Sequence, residues 1–158
     1  MKITFLAVGS IKKPYAKDGF NEYLKRIASY AQIETIDIKE EKYSVKTPRA
    51  EVLKREGERI LAKLKPADFN IVLSDKGTGF SSEAFAIKIG DIIGGRAGKK
   101  GIAFVIGGPY GLSKEVLEAA DLVLSLSRMT LPHDLARLFL AEQVYRAFTI
   151  LRNEPYSH

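Results

Sequence analysis

The chain of 158 residues has no cysteine and only two histidines, one of them its last residue. The first absence excludes disulfides, thiolate catalysis and cysteine-held zinc or iron–sulfur centres. The second leaves a poor ligand set, so no metal is expected. Long apolar runs are missing as well. Nothing approaches the roughly 20 residues that cross a bilayer, and Lys2 opens a strand-like segment rather than a signal peptide. A cytoplasmic location without a membrane partner is the default expectation. Familiar catalytic signatures are absent too. No stretch fits the phosphate loop GxxxxGK[ST] or the esterase elbow GxSxG. "GGPYG" is not GxGxxG, and Ser125 or Ser127 beside His133 is proximity without a motif.

What is present begins with charge. Twenty-five Lys and Arg stand against 19 Asp and Glu, a formal +6, and residues 1–80 hold 16 of the bases but only 11 of the acids. A basic amino-terminal half points to a polyanionic partner, RNA or DNA first, although solubility alone accounts for such an excess.

Patterning along the chain gives five strand–helix alternations. "KITFLAVG" (2–9) is an apolar strand ending in glycine, and the segment after Pro14 places Phe20, Leu24 and Ile27 at helical spacing. "IETIDIKE" (33–40) alternates like a strand with one wet face. A helix follows with Thr47 as cap and Pro48 as its first residue. "FNIVLSD" (69–75) is a strand stopped by "KGTG"; Ser81 or Ser82 then caps a helix. "GIAFVIGG" (101–108) is apolar throughout, as expected of a strand covered on both faces. Ser113 caps a short helix, "LVLSLS" (122–127) is the fifth strand, and Asp134 to about Asn153 forms the longest helix. Residues 1–158 thus read as one α/β domain, a mostly parallel sheet with helices on both faces.

In such sheets ligands bind beyond the carboxyl ends of the strands. Three loops lie there: "LSDKGTG", "GGPYGLS" and "SRMTLPHD". Two are glycine-rich, the third is apolar and closed by Pro132. Backbone-rich loops around an apolar wall suit a flat heteroaromatic ring such as adenine. S-adenosyl-L-methionine would account for the poverty of reactive side chains, because its methyl group arrives already activated. This is compatibility, and it does not separate a methyltransferase from another adenosine binder.

Four motifs go further. "VIGGPYGL" (105–112), "LSLSRMTLPH" (124–133), "EQVYRAFTI" (142–150) and "NEPYSH" (153–158) together resemble the RlmH family, as do "MKITFLAVG" and "EYLKRI" near the start. These are SPOUT-class methyltransferases acting on N3 of a pseudouridine in 23S rRNA of the large ribosomal subunit. The resemblance spans essentially the whole chain. It implies a C-terminal trefoil knot, S-adenosyl-L-methionine as cofactor, and a homodimer. By motif match it carries the cofactor site to Leu73, Gly107, Gly108, Leu126, Ser127, Arg128, Met129, Thr130 and Leu131. One departure is visible: the family tail reads Pro-Tyr-His, whereas here Ser157 separates Tyr156 from His158. A role for the tail therefore falls on Tyr156 before His158.

No general base stands out. The N3 imide is weakly acidic, and His133, Arg137 and Tyr156 are the candidates to face RNA or stabilise the base anion. For His133, packing at a helix start weighs equally. Arg128 is placed at the pocket mouth, although a plain surface position is the alternative. Arg55, Arg59 and Lys63 form a helix row, read as a solvated face, and "GGRAGKKG" (94–101) as a plain connection. The last helix carries an apolar stripe, Ala136, Leu140, Val144, Ala147 and Leu151, with Leu138, Phe139, Tyr145 and Ile150 on other sides. One sheet surface cannot cover them all, so a homodimer through this helix is expected. Asn153–His158 is expected to complete the RNA site while adding little to the fold. Two other readings stay open: a non-catalytic RNA-binding assembly factor, and a small-molecule enzyme with an adenosine-containing cofactor. Cofactor binding separates the first from a methyltransferase, and methyl transfer to RNA the second.

Overall fold

The computed structural model describes residues 1–42 and 44–156; Ser157 and His158 of the tail lie outside the described residues. In chain order the elements are β1 (Lys2–Val8), α1 (Pro14–Ile27), β2 (Gln32–Ile38), α2 (Arg49–Leu61), β3 (Asp68–Gly79), α3 (Ser82–Ile93), β4 (Gly101–Ile106), α4 (Lys114–Glu118), β5 (Leu122–Ser125) and α5 (His133–Leu151). The strands form one sheet in the order β2-β1-β4-β3-β5, and every pairing is parallel.

Strand alternation divides the core. Ile3, Phe5, Ile71, Ile102 and Phe104 point to one face, where α1, α3 and α5 cover them. Leu6, Val8, Val72 and Val105 point to the other, under α2 and α4. A strand with both faces buried needs no polar alternation, which is why β4 reads as six apolar or glycine residues, all buried.

Several boundaries differ from those expected. Pro48, not Thr47, occupies the cap position of α2, and Thr47 Oγ1 instead accepts from the Ser44 amide at 3.1 Å, inside the preceding turn. Ser81 caps α3 by accepting from the Ala84 amide, and Ser113 caps α4. β3 does not stop at "KGTG". Leu73 and Thr78 both register with Leu124, so residues 74–77 bulge out and the strand resumes to Gly79.

The apolar sides of α5 find cover within the chain. Leu140, Val144 and Ala147 sit on the sheet. Leu138 fills the space over Gly19 of α1, where a Cβ would stand 2.8 Å from it, and Leu151 does the same over Gly90 of α3. Tyr145 lies among Tyr23, Tyr30 and Tyr156. The flanking helices thus supply cover that the sequence pattern assigned to a second chain. Phe139 and Leu151 remain 37% and 40% exposed, with Ile87 (63%) and Ile93 (38%) on α3.

Candidate functional site

β4, β3 and β5 are neighbours in the sheet, so the loops leaving them converge. Within β3 the bulge carries Ser74, Asp75 and Lys76 to the cavity. After β4 a tight turn is closed by the Gly111 amide donating to the Gly108 carbonyl at 2.9 Å. After β5, Ser125 Oγ donates to the Ser127 carbonyl (3.0 Å), and the Met129 amide donates to Ser127 Oγ (2.9 Å). These bonds shape the apolar loop before Pro132 starts α5. Between the three loops lies a cavity of about 840 Å³. Leu73, Ile106, Leu112, Leu117, Leu124, Leu126 and Leu131 form apolar walls, and Gly107, Gly108 and Gly111 present backbone.

Of the residues expected from the motifs, Leu73, Gly107, Gly108, Leu126, Ser127, Met129, Thr130 and Leu131 line this cavity; Arg128 sits in the same loop but does not line it. A Cβ on Gly107 would stand 2.6 Å from the Gly111 carbonyl oxygen and 2.8 Å from Leu112 Cγ. Glycine at 107 is therefore required by the turn folding back on itself. Beneath Gly108 lies Glu56, a buried carboxylate that accepts from the Glu41 amide at 3.0 Å. Burial pushes it above the usual carboxylate range.

The three candidates for base chemistry separate in space. His133 lines the cavity, and its Nε2 is buried without a partner among the described residues. Burial, then the Arg137 guanidinium, holds the imidazole below its ordinary range, against a hydrogen bond with the Gly107 backbone. The ring is therefore neutral at pH 7 and offers an acceptor, not a cation. Arg137 is 3% exposed and does not line the cavity. It donates to the Gly9 carbonyl and to Asp37, both at 2.9 Å. Tyr156 follows the end of α5 and folds back onto its middle, and it does not line the cavity. Its hydroxyl meets Tyr23 (3.1 Å) and Glu142 (3.2 Å), and Arg146 lies over its ring.

Sequence reasoning missed several residues. Asp134 does not enter the cavity; its carboxylate accepts the Lys12 and Lys13 amides (3.0 and 2.8 Å) and so tethers the start of α1 to α5. Asp75, Lys76 and Tyr110 line the cavity from loops already singled out, but Arg49 comes from α2, whose pattern gave no sign of it. Arg55 and Arg59 are paired with Glu41, as a solvated row would be. Among the described residues no group of three or more potential metal ligands occurs, and no helix is long and apolar enough to cross a membrane.

An all-parallel sheet whose neighbouring strands send their loops into one backbone-lined apolar cavity defines an α/β protein with its candidate ligand site beyond the carboxyl ends of the strands. Comparison makes this specific. A family described as "Predicted SPOUT methyltransferase" matches residues 1–158. The ribosomal RNA large subunit methyltransferase H of Carboxydothermus hydrogenoformans is 50% identical over 159 residues, covering 99% of both chains. That of Enterococcus faecalis is 44% identical with the same coverage. A solved probable methylase family protein from Haemophilus influenzae superposes with a TM-score of 0.53 at 15% identity, over 99% of this chain and 72% of that one, a likeness of fold. The chain belongs to the SPOUT methyltransferase family.

Proposed function

We propose that residues 1–158 act as one domain, an S-adenosyl-L-methionine-dependent RNA methyltransferase of the cytoplasm. Its substrate is 23S rRNA of the large ribosomal subunit, presented within the subunit or ribosome, and its target is N3 of a pseudouridine. The observation that carries this reading is the cavity. Eight of the nine residues assigned to the cofactor by motif lie on its wall, and its volume of about 840 Å³ suits a ligand of that size. The names of the relatives support the RNA class.

When bound, the cofactor supplies a methyl group already activated on a sulfonium. The chain's own tasks are to align the reactants, keep water out and handle one proton. Leu73, Leu124, Leu126 and Leu131 line the dry wall. Neutral His133, on the cavity wall, takes the acceptor's part toward the imide proton of the target base once the ring turns its buried, unpartnered Nε2 to the cavity. Arg128, exposed beside the cavity, offers a charge for RNA phosphate at the mouth.

Tyr156 packs against α1 and the middle of α5 and does not line its own cavity, so its part in the RNA site is played toward the cavity of a second copy. The exposed Phe139, Leu151, Ile87 and Ile93 support a homodimer through α5 and its neighbour α3. The trefoil knot is what family membership implies.

Labelled S-adenosyl-L-methionine incubated with naked 23S rRNA, large subunits and whole ribosomes tests the reading, with mass-spectrometric mapping of the product. Methylation of one pseudouridine is expected. Cofactor binding without transfer to any of the three would leave an RNA-binding assembly factor and refute the enzyme.

A further inference from the structure

We infer that Arg49 reads the carboxylate at the methionine end of the cofactor, and so selects for the amino-acid portion of the ligand. The inference rests on the cavity being the S-adenosyl-L-methionine site. Arg49 is the first residue of α2, a helix that otherwise packs on the sheet face away from α5, yet it lines the cavity. Its guanidinium is held there: Nη2 donates to the Tyr110 carbonyl at 2.9 Å, and the Tyr110 ring lies 5.5 Å beneath it.

Two facts point to an anionic ligand. Arg26, Arg55, Arg59, Arg96, Arg137 and Arg146 each pair with a carboxylate, whereas among the described residues none pairs with Arg49, Arg128 or Arg152, and of these three only Arg49 lines the cavity. A guanidinium has five donors in a fixed fork that suits a carboxylate in bidentate fashion, and the Tyr110 carbonyl engages one nitrogen. The second fact is the company Arg49 keeps. Asp75 and Lys76 line the same cavity from the bulge of β3, so the wall holds a carboxylate beside two cations. A zwitterionic amino acid needs one group for its carboxylate and another for its ammonium. An RNA phosphate needs only cations and would be repelled by Asp75.

Titrating two ligands into the wild-type protein, Arg49→Ala and Arg49→Lys decides the matter. One ligand is S-adenosyl-L-methionine; the other is 5′-methylthioadenosine, which keeps the adenosine and the sulfur but lacks the amino-acid end. Arg49→Ala should weaken the first by about 10- to 100-fold, the loss typical of a hydrogen bond to a charged group, and leave the second within about twofold. Arg49→Lys, which keeps the charge without the fork, should fall between. Because Arg49 is exposed, the melting temperature should hold, and Arg49→Lys carries the test if the alanine variant does not fold. Equal weakening of both ligands would make Arg49 a prop for the Tyr110 loop and overturn the inference. No weakening of either, with a raised KM for rRNA, would make it an RNA contact and overturn it too. If the wild type binds neither ligand, the cavity is not the cofactor site and both readings fall; binding by wild type with an unaffected variant sinks this one alone.

Discussion

Replacing Arg137 by alanine should cost stability before it costs chemistry. The side chain is 3% exposed and joins three elements, reaching from α5 to the Gly9 carbonyl after β1 and to Asp37 on β2, each at 2.9 Å, with Phe20 of α1 5.4 Å from the guanidinium. Truncation leaves the Gly9 carbonyl without a charged donor, worth about 1.5–3 kcal/mol. Loss of the aromatic contact adds about 1 kcal/mol. The Asp37 bond adds little more, because that carboxylate is 54% exposed and returns to water. The total is about 3 kcal/mol. At about 2–4 °C per kcal/mol for a domain of this size, the melting temperature should fall by about 6–12 °C. Arg137→Lys should lose less, since an ammonium can serve one of the two acceptors. Differential scanning calorimetry measures the shift, and titration with S-adenosyl-L-methionine below the transition measures what survives of the site. A variant that melts with the wild type but transfers no methyl group would refute this reasoning and place Arg137 in the chemistry.

Gly107→Ala drives a methyl into the Gly111 carbonyl, so cofactor affinity should fall about 10-fold or more through distortion of the turn, and unchanged affinity by calorimetry would show that the turn yields. His133 has a folded pKa below its ordinary value, so the unfolded chain binds the proton more readily. Its contribution is whole above about pH 6.5 and drains away as pH falls below it. Melting temperatures across pH 5–8 should show that acid loss in the wild type and less of it in His133→Gln; identical profiles count against a neutral buried ring. Deleting residues 154–158 removes Tyr156 from its edge-on contact with Tyr145 at 4.9 Å and from its bonds with Tyr23 and Glu142, which should lower the melting temperature by about 4–8 °C while methyl transfer to rRNA collapses. Mixed with the Gly107 variant, the truncated chain should regain activity if tail and cavity come from different subunits; no recovery, or a monomeric mass by light scattering, would rule out the shared site.

The fold was legible where burial leaves a period. Phe20, Leu24 and Ile27, the unbroken β4 run, and the Ser81 and Ser113 caps stand where their patterns predict. β3 was legible only to Asp75, because "KGTG" reads as a turn and the partner that lets the strand resume, Leu124, lies some 50 residues on. The cavity loops could be found because carboxyl ends of parallel strands are fixed by strand order alone. Side-chain destination was not legible. Arg49, Arg128 and Arg137 carry the same charge in the sequence, and only packing sends one to the cavity wall, one to the surface beside it and one beneath β1.

The same distinction accounts for α5. Its sequence shows apolar residues on several sides, and a second chain is the economical cover for such a helix. Two glycines on other helices change the inference: Gly19 lets Leu138 close on α1, and Gly90 lets Leu151 close on α3, so most of the helix is satisfied at home. What argues for a partner is then the place of the tail rather than the hydrophobicity of the helix. One end of α5 carries His133 to the cavity wall, while Tyr156 folds back from the other end onto Glu142, Tyr145 and Arg146, outside the cavity lining. The chain has a neutral imidazole, an apolar wall and few other reactive groups at the cavity, and it keeps the aromatic ring of its tail outside that cavity. Antiparallel pairing of two such helices would bring each tail to the other's cavity, and that is the arrangement the mixed-subunit experiment reads.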